Sequence, residues 1–148
     1  MSQSLSKVYI HLIFSTKHIE PLITERVRTK LQAYIVGTLS ELKSYTEAIY
    51  ANPDHLHILC TLPRIISIAS LVSNIKSSSS KWMKTNGTPN FFWQDGYGIF
   101  SVSSSKVPIV KKYIENQKAH HQESHFKDEL REFFKQYHVE YDEDYVWD

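Results

Sequence analysis

The sequence predicts an α+β fold, a ferredoxin-like or RRM-like split βαβ antiparallel sheet with helices on one face, followed by C-terminal helices that carry Tyr113. Three observations lead there. Short stretches rich in β-branched and aromatic residues alternate with stretches whose apolar residues recur every three or four positions. Turn-forming residues separate them, above all Asn52-Pro53-Asp54. The resulting order, β-α-β-β-α-β and then helices, is that of the split βαβ plan.

Val8–Phe14 reads as the first strand, because Val, Tyr, Ile and Phe fit a pleated, half-buried surface. Pro21 precedes an amphipathic helix from about Ile23 to Leu42, whose apolar stripe is Val27, Leu31, Tyr34, Ile35 and Leu39, with Thr24 as candidate cap. Tyr45–Ala51 and His55–Leu62 form two strands around the Asn-Pro-Asp turn. Helical spacing returns from Ser67 to about Lys84 through Ile68, Leu71, Val72, Ile75, Trp82 and Met83, although the Ser77–Ser80 run lowers helix propensity. After the loop 86–90, Phe91–Val102 gives a turn and a strand, with Gly96 and Gly98 inside it. A third helix runs from about Val107 to Gln122, with Pro108 tolerated in its first turn, and a fourth from Phe126 to Tyr137.

A chain of 148 residues suits one domain, 1–148, with a real core. Its apolar runs, such as Phe91-Phe92-Trp93, fall far short of the ~20 residues of a membrane span. The start lacks the apolar stretch of a signal peptide, so a cytoplasmic location is the expectation. Cys60 is the single cysteine and lies in an apolar run, where it reads as a small core residue. Net charge is only +1, but no lysine or arginine follows Lys135 while five acidic residues do. Residues 1–139 carry a net charge of +6 and the tail −5. This asymmetry fits a phosphate-binding face, and it fits a merely solvated basic surface almost as well.

His55-Leu56-His57 is the informative element. Strand side chains alternate faces, so the two imidazoles point the same way, roughly 6–7 Å apart along the strand, while Leu56 faces the core. Such a pair can converge on one cation; it can also stand on a solvated sheet face. Tyr113 and Gln117 are i and i+4, so phenol and amide share one helix face. A phenol with a pKa near ~10 needs adjacent positive charge to act as a nucleophile, which Lys112 and a metal ion could supply. The competing role for Tyr113 is packing on the sheet with Ile109 or Ile114. His11 reads as a neighbour of the metal pair or as a packed core histidine. His120, His121 and His125 read as approaching the site from the helix end or as exposed residues without a role.

Together these motifs resemble the single-tyrosine HUH transposases, which mobilise the smallest bacterial insertion sequences and include relatives associated with repetitive extragenic palindromes. The resemblance runs through His11-Leu-Ile-Phe-Ser-Thr-Lys17, Pro53-Asp-His-Leu-His57, Ser67-Ile-Ala-Ser-Leu-Val72, Phe92-Trp-Gln-Asp-Gly-Tyr-Gly98, Tyr113-Ile-Glu-Asn-Gln-Lys-Ala-His-His121 and Tyr141-Asp-Glu-Asp-Tyr-Val-Trp-Asp148. It implies that His55, His57 and Gln117 are metal ligands and that Tyr113 is the nucleophile. It also implies a divalent cofactor, Mg²⁺ or Mn²⁺, a 5′-phosphotyrosine intermediate, and a free 3′-hydroxyl that later rejoins the strand. The implied partners are hairpins in single-stranded DNA and a second copy of the chain. In such homodimers the tyrosine helix can be exchanged, and Ser101–Ser105 is the candidate hinge. Candidate DNA contacts are Lys17, Lys76, Lys81, Lys84 and Lys112, with Trp82 available to stack a base. The segment Lys17-His18-Ile19-Glu20 departs from the family in carrying an acid after Thr16.

Two other readings compete. A hairpin-binding protein of this fold without chemistry would have no use for His55, His57, Tyr113 and Gln117 together. A replication or mobilisation nuclease of the same chemistry would need more chain than 148 residues.

Overall fold

Strand β1 (Tyr9–Ser15) occupies the interior of the sheet, and six of its seven residues are buried. The computed structural model describes residues 2–121 and 125–148, apart from the side chains of 120 and 121. The elements that follow β1 are α1 (Glu25–Glu41), β2 (Thr46–Ala51), β3 (His55–Thr61), α2 (Ile68–Thr85) and β4 (Gly98–Val102). Then come α3 (Val107–Glu115), α4 (Gln117–His121) and α5 (Phe126–Gln136). The four strands pair in the order β2-β3-β1-β4, each neighbour antiparallel. This is the split βαβ sheet that the sequence predicts.

The alternation of strand side chains sorts the sheet into two faces. Ile10, Leu12, Phe14, Leu56, Ile58 and Cys60 point to one face, where Leu31, Ile35 and Leu39 of α1 and Leu71, Val72 and Ile75 of α2 complete an apolar core. Residues between them in β1 and β3 point to the other face, which α3 and α5 cover. Ser67 caps α2 by accepting a hydrogen bond from the Ser70 backbone N–H at 3.0 Å. Thr24 occupies the N-cap position of α1, as expected, but its side chain makes no capping bond. Cys60 is fully buried, and burial pushes its thiol up to about 11, as suits a core residue.

Within Phe91–Val102, expected to hold a turn and a strand, the strand begins only at Gly98 and ends at Val102, preceded by an isolated bridge between Thr16 and Trp93. The reason lies in the core: Phe91 and Trp93 insert into it, and the Lys76 ammonium gathers the carbonyls of Gln94, Asp95 and Gly96 at 2.8, 3.1 and 2.6 Å. Backbone acceptors that a strand partner would have used are satisfied by a lysine. The third helix breaks at Asn116, whose φ/ψ of −95°/16° ends α3 before α4 begins. The described part of α4 stops at His121, so its expected extension to Gln122 lies outside the described residues.

Close approach fixes one glycine. A Cβ on Gly98 would lie 3.0 Å from Leu130 Cδ1 of α5, so only glycine lets this helix settle on β4 without displacement. The acidic tail, for which the sequence suggested no role, straps α5 to the loop before β4. Trp147 packs with Phe126, flanked by Lys127 and Arg131 at 5.3 and 5.1 Å, and the Asp148 carbonyl accepts the Gly96 N–H at 2.9 Å. Among the described residues no helix is long and apolar enough to cross a membrane.

Candidate active site

The register β1↔β3 sets Ser15 opposite His55, Ile13 opposite His57 and His11 opposite Leu59. His11, His55 and His57 therefore share the face beneath α3 and α5, and all three are buried. Leu56, between the two histidines of β3, points into the opposite core, as the alternation requires. The imidazole rings of His55 and His57 lie 5.2 Å apart between centroids.

Each of these histidines is held from behind. The Asp54 carboxylate meets His55 Nδ1 at 2.7 Å, and His11 Nε2 meets His57 Nδ1 at 2.9 Å. Both Nε2 atoms consequently turn the other way, toward Glu129 Oε1 of α5, at 3.2 Å from His55 and 2.9 Å from His57. The second carboxylate oxygen, Oε2, accepts hydrogen bonds from the Tyr113 hydroxyl and from Gln117 Nε2, the latter at 3.2 Å. The Gln117 oxygen accepts a hydrogen bond from Asn52 Nδ2 at 3.0 Å, and that amide also lies 3.0 Å from His55 Nε2. One buried carboxylate thus joins the histidine pair to the phenol.

The charges follow from this packing. Burial opposes ionisation of His55, but hydrogen bonds to Asp54 and Glu129 carry its net shift upward. Burial would raise the Glu129 carboxyl; His55 and His57 outweigh it and hold it far below the usual carboxylate range. Burial, and then the negative charge of Glu129, push the Tyr113 phenol well above its ordinary value. His11 is kept well below its ordinary value by burial and then by His57, so it is neutral. Among the side chains the field at the phenol is anionic; of the two expected sources of positive charge, Lys112 and a metal ion, Lys112 does not supply it. Lys112 is exposed on α3.

A metal ion fits this donor set. The ligating atoms of His55, His57 and Glu129 all lie within 4.8 Å of one another, and all three residues are buried. Two imidazole lone pairs and a carboxylate oxygen repel one another unless a proton or a cation sits among them. For His57 to offer Nε2, its Nδ1 must carry the proton and donate to His11, the arrangement in which an outer partner orients a ligating histidine.

A family model described as "Transposase IS200 like" matches residues 4–117. The chain belongs to the IS200-like transposases. No curated protein matches it. Among solved structures, a protein of Deinococcus radiodurans R1 assigned as a transposase is 23% identical with a TM-score of 0.64, covering 79% of this chain and 98% of that one. A REP-associated tyrosine transposase bound to a REP hairpin is 18% identical with a TM-score of 0.59, covering 82% of this chain and 74% of that one. At these identities the likeness is one of fold.

Within this IS200-like transposase the structure brings His55, His57, Tyr113 and Gln117 together within one chain. Helix α3 packs on β2 and β3 of its own sheet, so no exchange of the tyrosine helix is needed to complete the cluster. The expected hinge, Ser101–Ser105, begins inside β4 and runs into a short 3₁₀ turn, Ser104–Lys106, that joins β4 to α3. Sequence reasoning missed Glu129 and Asn52. Asn52 looked like a turn residue only. Glu129 had a legible signal: it falls in the apolar stripe Phe126, Leu130, Phe133 and Phe134 of α5, where a carboxylate requires partners. It also lies beyond the residues that the family model matches.

The candidate DNA contacts divide. Lys17, Lys81, Lys84 and Lys112 are exposed. Lys76 departs from them, because its three donors already have three carbonyl acceptors and its ammonium lies 5.1 Å from the Phe14 ring. Trp82 is half-buried and stacks on Tyr34 at 5.7 Å, whereas Trp93 is a core residue whose indole N–H donates to Ser79. His125 is the N-cap of α5 and is exposed; the side chains of His120 and His121 lie outside the described residues.

Proposed function

We propose that this IS200-like transposase cuts and rejoins single-stranded DNA by transesterification, with Tyr113 as nucleophile and His55, His57 and Glu129 as the metal ligands, and that it recognises DNA hairpins. The observation that carries the reading is the Glu129 carboxylate, whose two oxygens touch the histidine pair and the tyrosine hydroxyl. Hairpin recognition draws support from the structural neighbour bound to a REP hairpin. The chain is read as a single catalytic domain, 1–148, working as a homodimer.

In this reading the phenolic oxygen of Tyr113 bonds to the phosphorus of the scissile phosphate as the 3′-oxygen bond breaks. The phenol gives up its proton as this bond forms, and the leaving 3′-oxygen takes one up and becomes the free hydroxyl, so the proton count is unchanged. Its later attack on the phosphotyrosine releases the phenol, so one phosphodiester is exchanged for another and no nucleotide is hydrolysed. Glu129 Oε2 accepts the phenolic proton's hydrogen bond and orients the attacking oxygen. Asp54 and His11 hold the imidazoles that receive the cation. A divalent cation bound there would polarise a phosphate oxygen and offset the anionic field on the phenol. Mn²⁺ accepts imidazole more readily than Mg²⁺, which favours activity with Mn²⁺. Gln117, the third ligand that the family resemblance implies, donates its Nε2 to Glu129 Oε2 and would offer its Oε1 to a cation on release from Asn52 Nδ2.

For the hairpin, exposed Lys81 and Lys84 near the end of α2, with Lys17, are the proposed phosphate contacts, and Lys112 lies on the tyrosine helix. Lys84 Nζ stands 4.0 Å over the exposed Phe92 ring, an aromatic and basic pair suited to an unpaired base and its phosphate.

The test is a covalent adduct. Protein, Mn²⁺ and single-stranded oligonucleotides copied from the DNA flanking the gene are run on a denaturing gel beside the Tyr113→Phe variant. A protein–DNA band that disappears in the variant is the expected result. A band that survives assigns the nucleophile elsewhere, and binding without any band overturns the enzymatic reading.

A further inference from the structure

Between α3 and α5 lies a cavity of about 450 Å³ that the chemistry above does not use, a size typical of small-ligand sites. Its walls are Ile109 and Val110 of α3 and Phe133 of α5, with the rings of His11 and Tyr113 closing the inner end. Phe133 meets Tyr113 edge-on, at 6.0 Å and 78°, and His11 at 5.2 Å and 85°. The lining turns polar with Asp128, Glu132 and Gln136 of α5.

We propose that this cavity is a nucleobase pocket, which takes one unpaired base bearing an exocyclic amino group from the strand that Tyr113 cuts. The inference rests on the function proposed above and adds a position at which the protein itself reads sequence. Location comes first. Tyr113 lines the cavity, and so does Glu129, which accepts its hydroxyl, so an occupant sits beside the reacting phosphate. Chemistry then selects the base over the phosphate. Among the described residues no lysine or arginine lines the cavity, and two carboxylates besides Glu129 do, which repel a phosphate and accept from N–H groups. The aliphatic and aromatic walls suit the faces of a flat heterocycle. Cytosine, adenine and guanine carry an exocyclic amino donor on their pairing edge, whereas thymine has none and flanks its single N3–H with two carbonyls that face the acceptors.

The mouth of the pocket can be altered without touching the core. Ile109 is 62% exposed, an isoleucine that no packing demand of the fold explains. Glu132 is exposed and makes no ion pair among the described residues, whereas Asp128 is held by Arg131 at 3.0 Å. Glu132 is therefore the acceptor assigned to the amino group.

The experiment uses full-length Tyr113→Phe protein, which binds without cutting. Hairpin oligonucleotides from the flanking DNA carry a single 2-aminopurine, moved one position at a time along the unpaired strand. The expected result is quenched emission at one position, abolished by Ile109→Trp, which fills the pocket. With natural bases at that position, cytosine should bind about tenfold tighter than thymine, the size of one polar group left unpaired. Glu132→Ala should bring that ratio toward one while Arg64→Ala, at an exposed residue that does not line the cavity, leaves it unchanged. Oligonucleotides that bind but give no position sensitive to Ile109→Trp overturn the pocket and leave the transesterification reading standing. If no hairpin binds, that reading fails and the pocket falls with it.

Discussion

On the α1/α2 side of the sheet, Leu12, Phe14, Leu56 and Ile58 are buried among aliphatic and aromatic neighbours. On the α3/α5 side, alternate residues of the same two strands include His11, His55 and His57, equally buried but surrounded by Gln117, Glu129 and Asn52. The first side gains stability from apolar area removed from water. The second buries polar groups whose desolvation is offset only by hydrogen bonds and by charge pairing. A β-strand lets one seven-residue segment serve both purposes, since neighbouring side chains never compete for the same environment. The consequence is that damage to the two sides should be separable.

The largest separation should come from His55→Ala combined with His57→Ala. Metal-dependent cleavage should vanish, while hairpin affinity in a filter or gel-shift assay stays within a few-fold of the parent. Continued cleavage in the double variant would remove the metal assignment altogether. Leu12→Ala, on the opposite face, should cost about 2–5 kcal/mol in denaturant unfolding, because it opens a cavity in a dry core. Its Mn²⁺ affinity, measured on the folded fraction, should match the parent. If the affinity falls in step with stability, the two faces are coupled and the comparison fails.

His11→Ala stands between these cases. It leaves the His57 Nδ1 group without its 2.9 Å partner. Mn²⁺ affinity, followed by the paramagnetic signal of free Mn²⁺ without DNA, should drop about 10- to 100-fold, the usual effect of removing an orienting partner. His11→Gln, which keeps an acceptor, should recover part of the loss; equal losses in both variants would point to packing alone. The smallest effect belongs to the surface. Lys81→Ala with Lys84→Ala should lower the salt dependence of hairpin binding by about 1.4–1.8 in log–log slope, given a release of ~0.7–0.9 counterion per contact. Lys76→Ala should leave that slope unchanged, because its ammonium holds the loop carbonyls at 94–96.

Much of the fold was legible because it is carried by local pattern. The period-two strands, the stripes of α1 and α2 and the Asn-Pro-Asp turn each announce themselves over a few residues. What local pattern did not reveal is that Phe91 and Trp93, in the stretch before β4, plug a core built by distant elements. The histidine pair was legible too, since His55 and His57 are separated by one residue and strand geometry does the rest. Tyr113 and Gln117 shared a helical spacing, and both reach the cluster even though the helix breaks at Asn116.

Sequence by itself determined the order of strands and helices, the two-faced strands and four of the groups in the cluster, His55, His57, Tyr113 and Gln117. Tertiary structure alone decided what those groups face. Glu129 lies 72 residues from His57 and 16 from Tyr113, and only the docking of α5 over β1 and β4 brings its carboxylate to both. No local periodicity encodes that meeting, because the sign of the charge on a phenol depends on what is folded against it. The side chain folded against Tyr113 is a carboxylate rather than Lys112, and the same carboxylate joins the two histidines in a donor set that fits a cation.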